Sequence, residues 1–244
     1  MSKEEIRRRI WNDMEKRGIA LFPKPVYGRI PNFIGADKAA LKLIELPEFK
    51  SAEVVKVNPD SPQRMVRYYT LAYGKLLLTP TPRLKQGFIL LDASLIPNNK
   101  LMEASTIIGS FKYGKRIDLN ELPKVDFIVM GSVAVSINGC RLGKGGGYGE
   151  IEYAILRELK CVNENTPIAT TVHDIQIVDN IPHDEYDVVV DIIVTPTRII
   201  RVNKLYSKPK GIIWNKLNES KLNEIELLKL LKDLRNKMRI NSIT

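Results

Sequence analysis

In this 244-residue chain, the residues whose types and spacing could do chemistry lie between Gly139 and Glu150: Gly-Cys-Arg-Leu-Gly-Lys-Gly-Gly-Gly-Tyr-Gly-Glu. Six of the eleven positions from Gly139 to Gly149 are glycine. That composition is costly inside a helix or strand, so the stretch is built for unusual backbone angles or for close approach of a ligand. Backbone N–H groups that lead into a helix N-terminus form an anion site, and Arg141 and Lys144 place two cations within it. Known phosphate loops do not match letter by letter. A Walker A loop needs four residues before its Gly-Lys pair and then Ser or Thr, whereas three separate Gly139 from Gly143 and Gly145 follows Lys144. A dinucleotide fingerprint starting at Gly143 would need glycine where Tyr148 stands. A glycine loop without a ligand is the competing reading.

Asp191 is the second chemical candidate, because it interrupts the apolar run Val188 to Val194. A carboxylate there costs several kcal/mol if buried alone. It is therefore paired, hydrogen-bonded, at a strand end or on a metal. The two histidines, His173 and His183, are too few for a three-histidine metal site, and no G-x-S-x-G elbow accompanies Ser132 or Ser136. Both histidines read as structural. Cys140 and Cys161 are too few for a cysteine zinc site or a secreted disulfide framework.

The elements that must position these groups follow from the apolar pattern. Ile6, Ile10 and Met14, with Trp11 beside them, form one stripe of an amphipathic helix over Lys3 to Lys16. Prolines 23, 25 and 31 force an extended stretch, and a second helix runs from Asp37 to Leu46. Short apolar runs at 53–57, 75–79 and 87–91 read as strands, and Phe127 to Val135 and Ile168 to Val172 as strands covered on both faces. With a helix at Ile151 to Leu159 between the last two, the order is βαβ. The expectation is one three-layer α/β domain over 1–203, with a largely parallel central sheet and helices on both faces. A basic extension over 204–244 follows, with a helix from about Lys221 to Met238 that packs on the domain or on a partner.

Composition bounds the function classes. Hydrophobic residues make up 44% and charged residues 27%, which excludes a disordered, collagen-like or coiled-coil chain. No apolar run reaches the roughly 18 residues of a membrane span. The charged N-terminus lacks the apolar stretch of a signal peptide, and a reducing cytoplasm is the expected location. Net charge is +10, but residues 201–244 alone carry eleven Lys and Arg against four Asp and Glu. A solvated helix face explains this tail better than a nucleic-acid surface, although an RNA-binding module stays open.

Read together, Arg141-Leu142-Gly143-Lys144-Gly145-Gly146-Gly147-Tyr148 and the later Asp191 resemble the phosphate loop and metal-binding aspartate of the 5-formyltetrahydrofolate cyclo-ligases, or methenyltetrahydrofolate synthetases. The resemblance is closer to the divergent methenyltetrahydrofolate synthetase domain-containing branch. Arg29-Ile30-Pro31-Asn32-Phe33, Asn58-Pro59-Asp60, Thr79 to Leu84, Gly131 to Ser136, Val172-His173-Asp174, Thr195 to Arg198 and Gly211 to Trp214 extend it over nearly the whole chain. It implies a layered fold similar to the sugar-isomerase and CoA-transferase folds. It also implies ATP- and Mg²⁺-dependent ring closure of a 5-formyl reduced folate or related pterin. The resemblance places Lys3, Arg7, Arg141, Gly143, Gly145, Gly146 and Gly147 on the nucleotide, Lys144 and Tyr148 in catalysis, and Glu150 and Asp191 on Mg²⁺. The substrate half departs from the pattern. Tyr148-Gly149-Glu150 stands where the usual loop reads Tyr-Tyr-Asp, and Gln63, Arg64 and Met65 stand near the expected acidic substrate contact. An ATP-binding enzyme or regulator with a non-folate ligand is therefore the alternative.

Overall fold

The computed structural model describes residues 1–241, with side chains as far as Arg235. Eight short apolar segments form one sheet: Val54–Val57 (β1), Leu76–Pro80 (β2), Phe88–Asp92 (β3), Lys115–Ile117 (β4), Phe127–Met130 (β5), Ile168–Thr171 (β6), Ile192–Val194 (β7) and Ile199–Arg201 (β8). Their spatial order is β8-β7-β6-β5-β1-β2-β3-β4. The central five, β7 to β2, pair in parallel. The pairings that add β8 at one edge and β3 and β4 at the other are antiparallel. Strands buried on both faces can be apolar at every position, and β1, β5, β6 and β7 are buried throughout.

Alternation along the strands sends side chains into two cores. Val55, Val57, Phe127 and Val129 face one side, where they meet α1 (Lys3–Lys16), α2 (Ala36–Ile44) and α3 (Arg64–Ala72). Val54, Ile128, Met130 and Ile193 face the other, beneath α4 (Tyr148–Glu158) and the closing pair α5 (Glu219–Glu224) and α6 (Glu226–Asn241). The chain is thus a three-layer α/β structure, as the apolar runs imply.

Two expected elements differ. The run from Phe127 to Val135 breaks after Met130, and Ala134–Ser136 joins Arg141–Leu142 and Ile177–Val178 in a separate three-stranded sheet. The break at Gly131 is held by polar contacts, since its N–H donates to Asn58 Oδ1 and its carbonyl accepts from Arg141 Nη1. The final helix is two helices, because Ile225 adopts an extended conformation between them and drives its side chain into the second core. Leu228 and Leu231 follow it there.

Candidate functional site

The Ala134–Ser136 and Arg141–Leu142 hairpin delivers the glycine loop, and α4 begins as the loop ends. Gly145 and Gly147 have φ of 102° and 69°, a left-handed backbone that a side chain would strain. Gly147 caps α4 without a side-chain hydrogen bond. Among the described residues, the N–H groups of Gly145, Gly146 and Gly147 find no acceptor. They stand at the N-terminus of an 11-residue helix, where the helix dipole favours an anion. Arg141 lies beneath them and is 4% exposed. Its Nη1 donates to Gly131 O at 2.7 Å and its Nη2 pairs with Glu150. Its buried Nε has no partner. Burial pulls the Arg141 guanidinium down to about 10, against the opposing charges of Asp187, Glu152 and Asp60, so it remains a cation at neutral pH. An unpaired donor on a buried cation is costly unless something binds there.

The N-terminal helix brings the next two cations. Its apolar stripe, Ile6, Ile10 and Met14, is buried in the first core, which turns Lys3 and Arg7, one turn apart, toward the loop. Arg7 Nε donates to Gly143 O at 2.8 Å. Lys3 Nζ lies 2.7 Å from Asp184 and 2.5 Å from Asp187. Burial opposes the Lys3 charge, but the hydrogen bonds to Asp184 and Asp187 outweigh it and hold the amine above the ordinary lysine range. Lys3, Arg7, Arg141, Gly143, Gly145, Gly146, Gly147 and Glu150 all line one cavity of about 330 Å³. The orphan Arg141 donor, the free loop N–H groups and this cation cluster fit an oligophosphate.

A second cavity, of about 770 Å³, opens on the other side of the loop. Arg141, Gly143, Gly146, Gly147 and Glu150 belong to both, so the loop is a shared wall. Lys144 and Tyr148 line only the second among these two. Lys144 Nζ pairs with Asp60 at 3.0 Å. Tyr148 OH donates to Glu224 at 2.6 Å, and the Lys221 ammonium lies 3.4 Å from its ring centroid. The floor is a buried network in which Glu152 accepts from Lys56 at 2.6 Å and from Asn58 at 2.7 Å. Arg67 donates to the Asn58 and Asp60 carbonyls, and its complete burial pulls its guanidinium down to about 10. Arg29, Arg64 and Arg83 add exposed cations at the rim.

Asp191 is elsewhere. Its Oδ1 lies 2.6 Å from Lys204 and its Oδ2 lies 2.7 Å from Lys208, while Ile168 N–H donates to Oδ2 at 2.8 Å. It lines neither cavity. The expectation that it ligates a metal is therefore corrected, because two ammonium groups already neutralise a carboxylate that lies outside both cavities. Glu150 does line the shared wall, yet it is engaged by Arg141. No group of three His, Cys, Asp or Glu side chains converges among the described residues. The carboxylates present among the described residues thus do not fit a protein-built Mg²⁺ site. His173 Nδ1 accepts from Ile175 N–H as a helix cap. His183 stacks on Tyr206 with ring centroids 4.0 Å apart. Asp184 and Asp187 carry no signal in the sequence, and Asp60 carries one only as part of the Asn58-Pro59-Asp60 run; each pairs a site lysine, and no local spacing signals a partner so distant in the chain. The lining by residues 209–221 likewise had no signal beyond Gly211 to Trp214.

A sequence model of the 5-formyltetrahydrofolate cyclo-ligase family matches residues 1–196. The methenyltetrahydrofolate synthase domain-containing protein of Mus musculus is 42% identical over 238 residues, covering 96% of this chain and 64% of its own length. The protein of that name from Bos taurus is 41% identical over 237 residues, covering 95% and 62%. The chain thus spans a little under two thirds of these relatives. Among solved structures, the 5,10-methenyltetrahydrofolate synthetase of Aquifex aeolicus superposes with a TM-score of 0.53 at 21% identity, over 85% of this chain and 96% of its own; it supports the fold. No described helix is long and apolar enough to cross a membrane. With the family match spanning most of the chain, and close relatives aligned along nearly all of it, the chain belongs to the 5-formyltetrahydrofolate cyclo-ligase family.

Proposed function

We propose that this chain is an ATP-dependent enzyme that closes a 5-formyl reduced folate, or a related pterin, to its 5,10-methenyl form. The observation that carries the reading is the shared wall: one glycine loop separates a cationic cavity of about 330 Å³ from a larger one lined by Lys144 and Tyr148. Lys3, Arg7 and Arg141 hold the phosphates, aided by the free loop N–H groups. The formyl oxygen bonds to the γ-phosphorus as the bond to the bridging oxygen breaks and ADP leaves. N10 then attacks the formyl carbon and loses its proton, and phosphate departs with the former formyl oxygen. Charge on the transferring group is greatest between the two cavities. Fixed cations there stabilise the transition state without reorganising. Lys144, half-exposed and tethered to Asp60, reaches that junction from the substrate side. Mg²⁺ enters this reading with the nucleotide.

A second reading is favoured by one observation. Arg64 lines the second cavity near the position where the family resemblance implies an acid, with Arg29 and Arg83 at the same rim. Such a cavity suits a ligand more anionic than a pterin ring. The test is the absorbance of a methenyl product after addition of 5-formyltetrahydrofolate, ATP and Mg²⁺. Product formation that is lost in Arg7→Ala is expected; ATP binding without product at high enzyme concentration moves the chain to the second reading, and absence of both removes the first.

A further inference from the structure

The segment 209–221 lies beyond the residues that match the family model, yet it forms much of the first cavity. Pro209, Ile212, Ile213, Leu217, Asn218 and Lys221 all line it. Its path over α4 is held at several points. Lys208, nearly fully buried, donates to the carbonyls of Glu164 and Thr166 and pairs with Asp191. Ile212 N–H donates to Glu158 at 3.2 Å. Asn218 caps α5 by accepting from Lys221 N–H at 2.8 Å. Beyond it, Ile225 and Leu228 are anchored in the second core.

This gives the cavity two chemically different sets of lining residues. The loop and α1 supply Lys3, Arg7, Arg141 and free N–H groups. The segment supplies an apolar patch, with Ile212, Ile213 and Leu217 lining the same space as Ile151 and Ala154 of α4, beside the cations Lys216 and Lys221. A pure oligophosphate would leave that apolar surface in water, whereas a nucleoside covers it with a flat ring.

We propose that segment 209–221 is the base-binding wall of the nucleotide site, a contribution from beyond the residues that match the family model. The proposal rests on the nucleotide reading above and names which residues take the base. Because the base and the phosphate chain would meet different lining residues, the two can be measured apart. Calorimetric titration of the full chain with ATP and with inorganic tripolyphosphate is the test. In the unaltered protein ATP binds more tightly than tripolyphosphate. In the Ile213→Ala, Leu217→Ala double variant the ATP Kd rises about tenfold, as expected for trimming apolar contact from two side chains, while tripolyphosphate is unchanged. Arg7→Ala weakens both. Leu217 also packs on the second core, so Ile213→Ser, which touches only the cavity rim, serves if the double variant fails to fold. Equal affinity for ATP and tripolyphosphate in the unaltered protein, unchanged ATP affinity in both variants, or equal loss of both ligands would overturn the wall and leave the phosphate site standing. Failure of the unaltered protein to bind either ligand would overturn the nucleotide reading itself.

Discussion

A carboxylate held between two ammonium groups behaves unlike one on a dication, and Asp191 can be tested on that difference. Asp191→Asn keeps the shape but leaves Lys208, only 2% exposed, without its counter-charge. Burial already pulls the Lys208 amine down, with Asp191 opposing it. Urea unfolding of the variant is expected to show a loss of about 3 kcal/mol, and the Mg²⁺ dependence of ATP binding should not change. Lys144 gives a second residue-scale prediction. It lies on the wall of the larger cavity, so Lys144→Ala is expected to cut turnover about tenfold or more while shifting ATP affinity little; single-turnover rates and calorimetry separate the two. The sequence made the loop legible because six glycines around two cations have few structural uses. It left the partners of Asp191 hidden, since Lys204 and Lys208 belong to a tail whose lysines have the spacing of a solvated face.

At the scale of elements, α1 is placed by its apolar stripe and locked by its first turn. Lys3 meets Asp184 and Asp187, and the hydrogen bonds from Lys3 and Tyr186 hold the Asp184 carboxyl below its usual value of 3.8. Native Asp184 therefore binds its proton less readily than the unfolded chain does. Its contribution is complete above the unfolded value and is lost as pH falls from there through the folded value. Lys3, held high, supplies the opposite limit: its share is present below the unfolded value of 10.5 and disappears as pH rises through the folded one. Thermal melts from about pH 6 down to about pH 3 should fall more steeply for the native chain than for Asp184→Asn, because the variant has already lost the titrating group. Strands β1, β2 and β3 were legible within a residue, because each is a short apolar run ended by Pro, Asp or Asn, whereas the three-residue edge strands β4 and β8 carry too little apolar pattern to be read. The break in the run from Phe127 was not, since it depends on Asn58 and Arg141 reaching Gly131 from other elements.

On the scale of the whole molecule, the second core is closed by residues beyond those that match the family model. Ile225, Leu228 and Leu231 cover strand residues Val54, Ile128 and Ile193 together with α4. Leu228→Ala is expected to cost about 2–5 kcal/mol, measured by urea unfolding. A chain ended after residue 203 should expose that face and bind a hydrophobic dye that the full chain excludes. Sequence periodicity identified a helix here but could not choose between the domain and a partner, because an apolar stripe does not specify what covers it.

Lys3 and Leu228 line one cavity although nearly all the chain separates them. A ribosome makes the glycine loop and its cations before the segment 209–221 that shares their pocket. On the nucleotide reading, a nascent chain is unable to retain the ligand until that segment has emerged, and the pocket closes as a long-range event of the slow kind. A ligand seated there as proposed touches α1 and the segment 209–221 together, and its binding energy then resists unfolding started from either side.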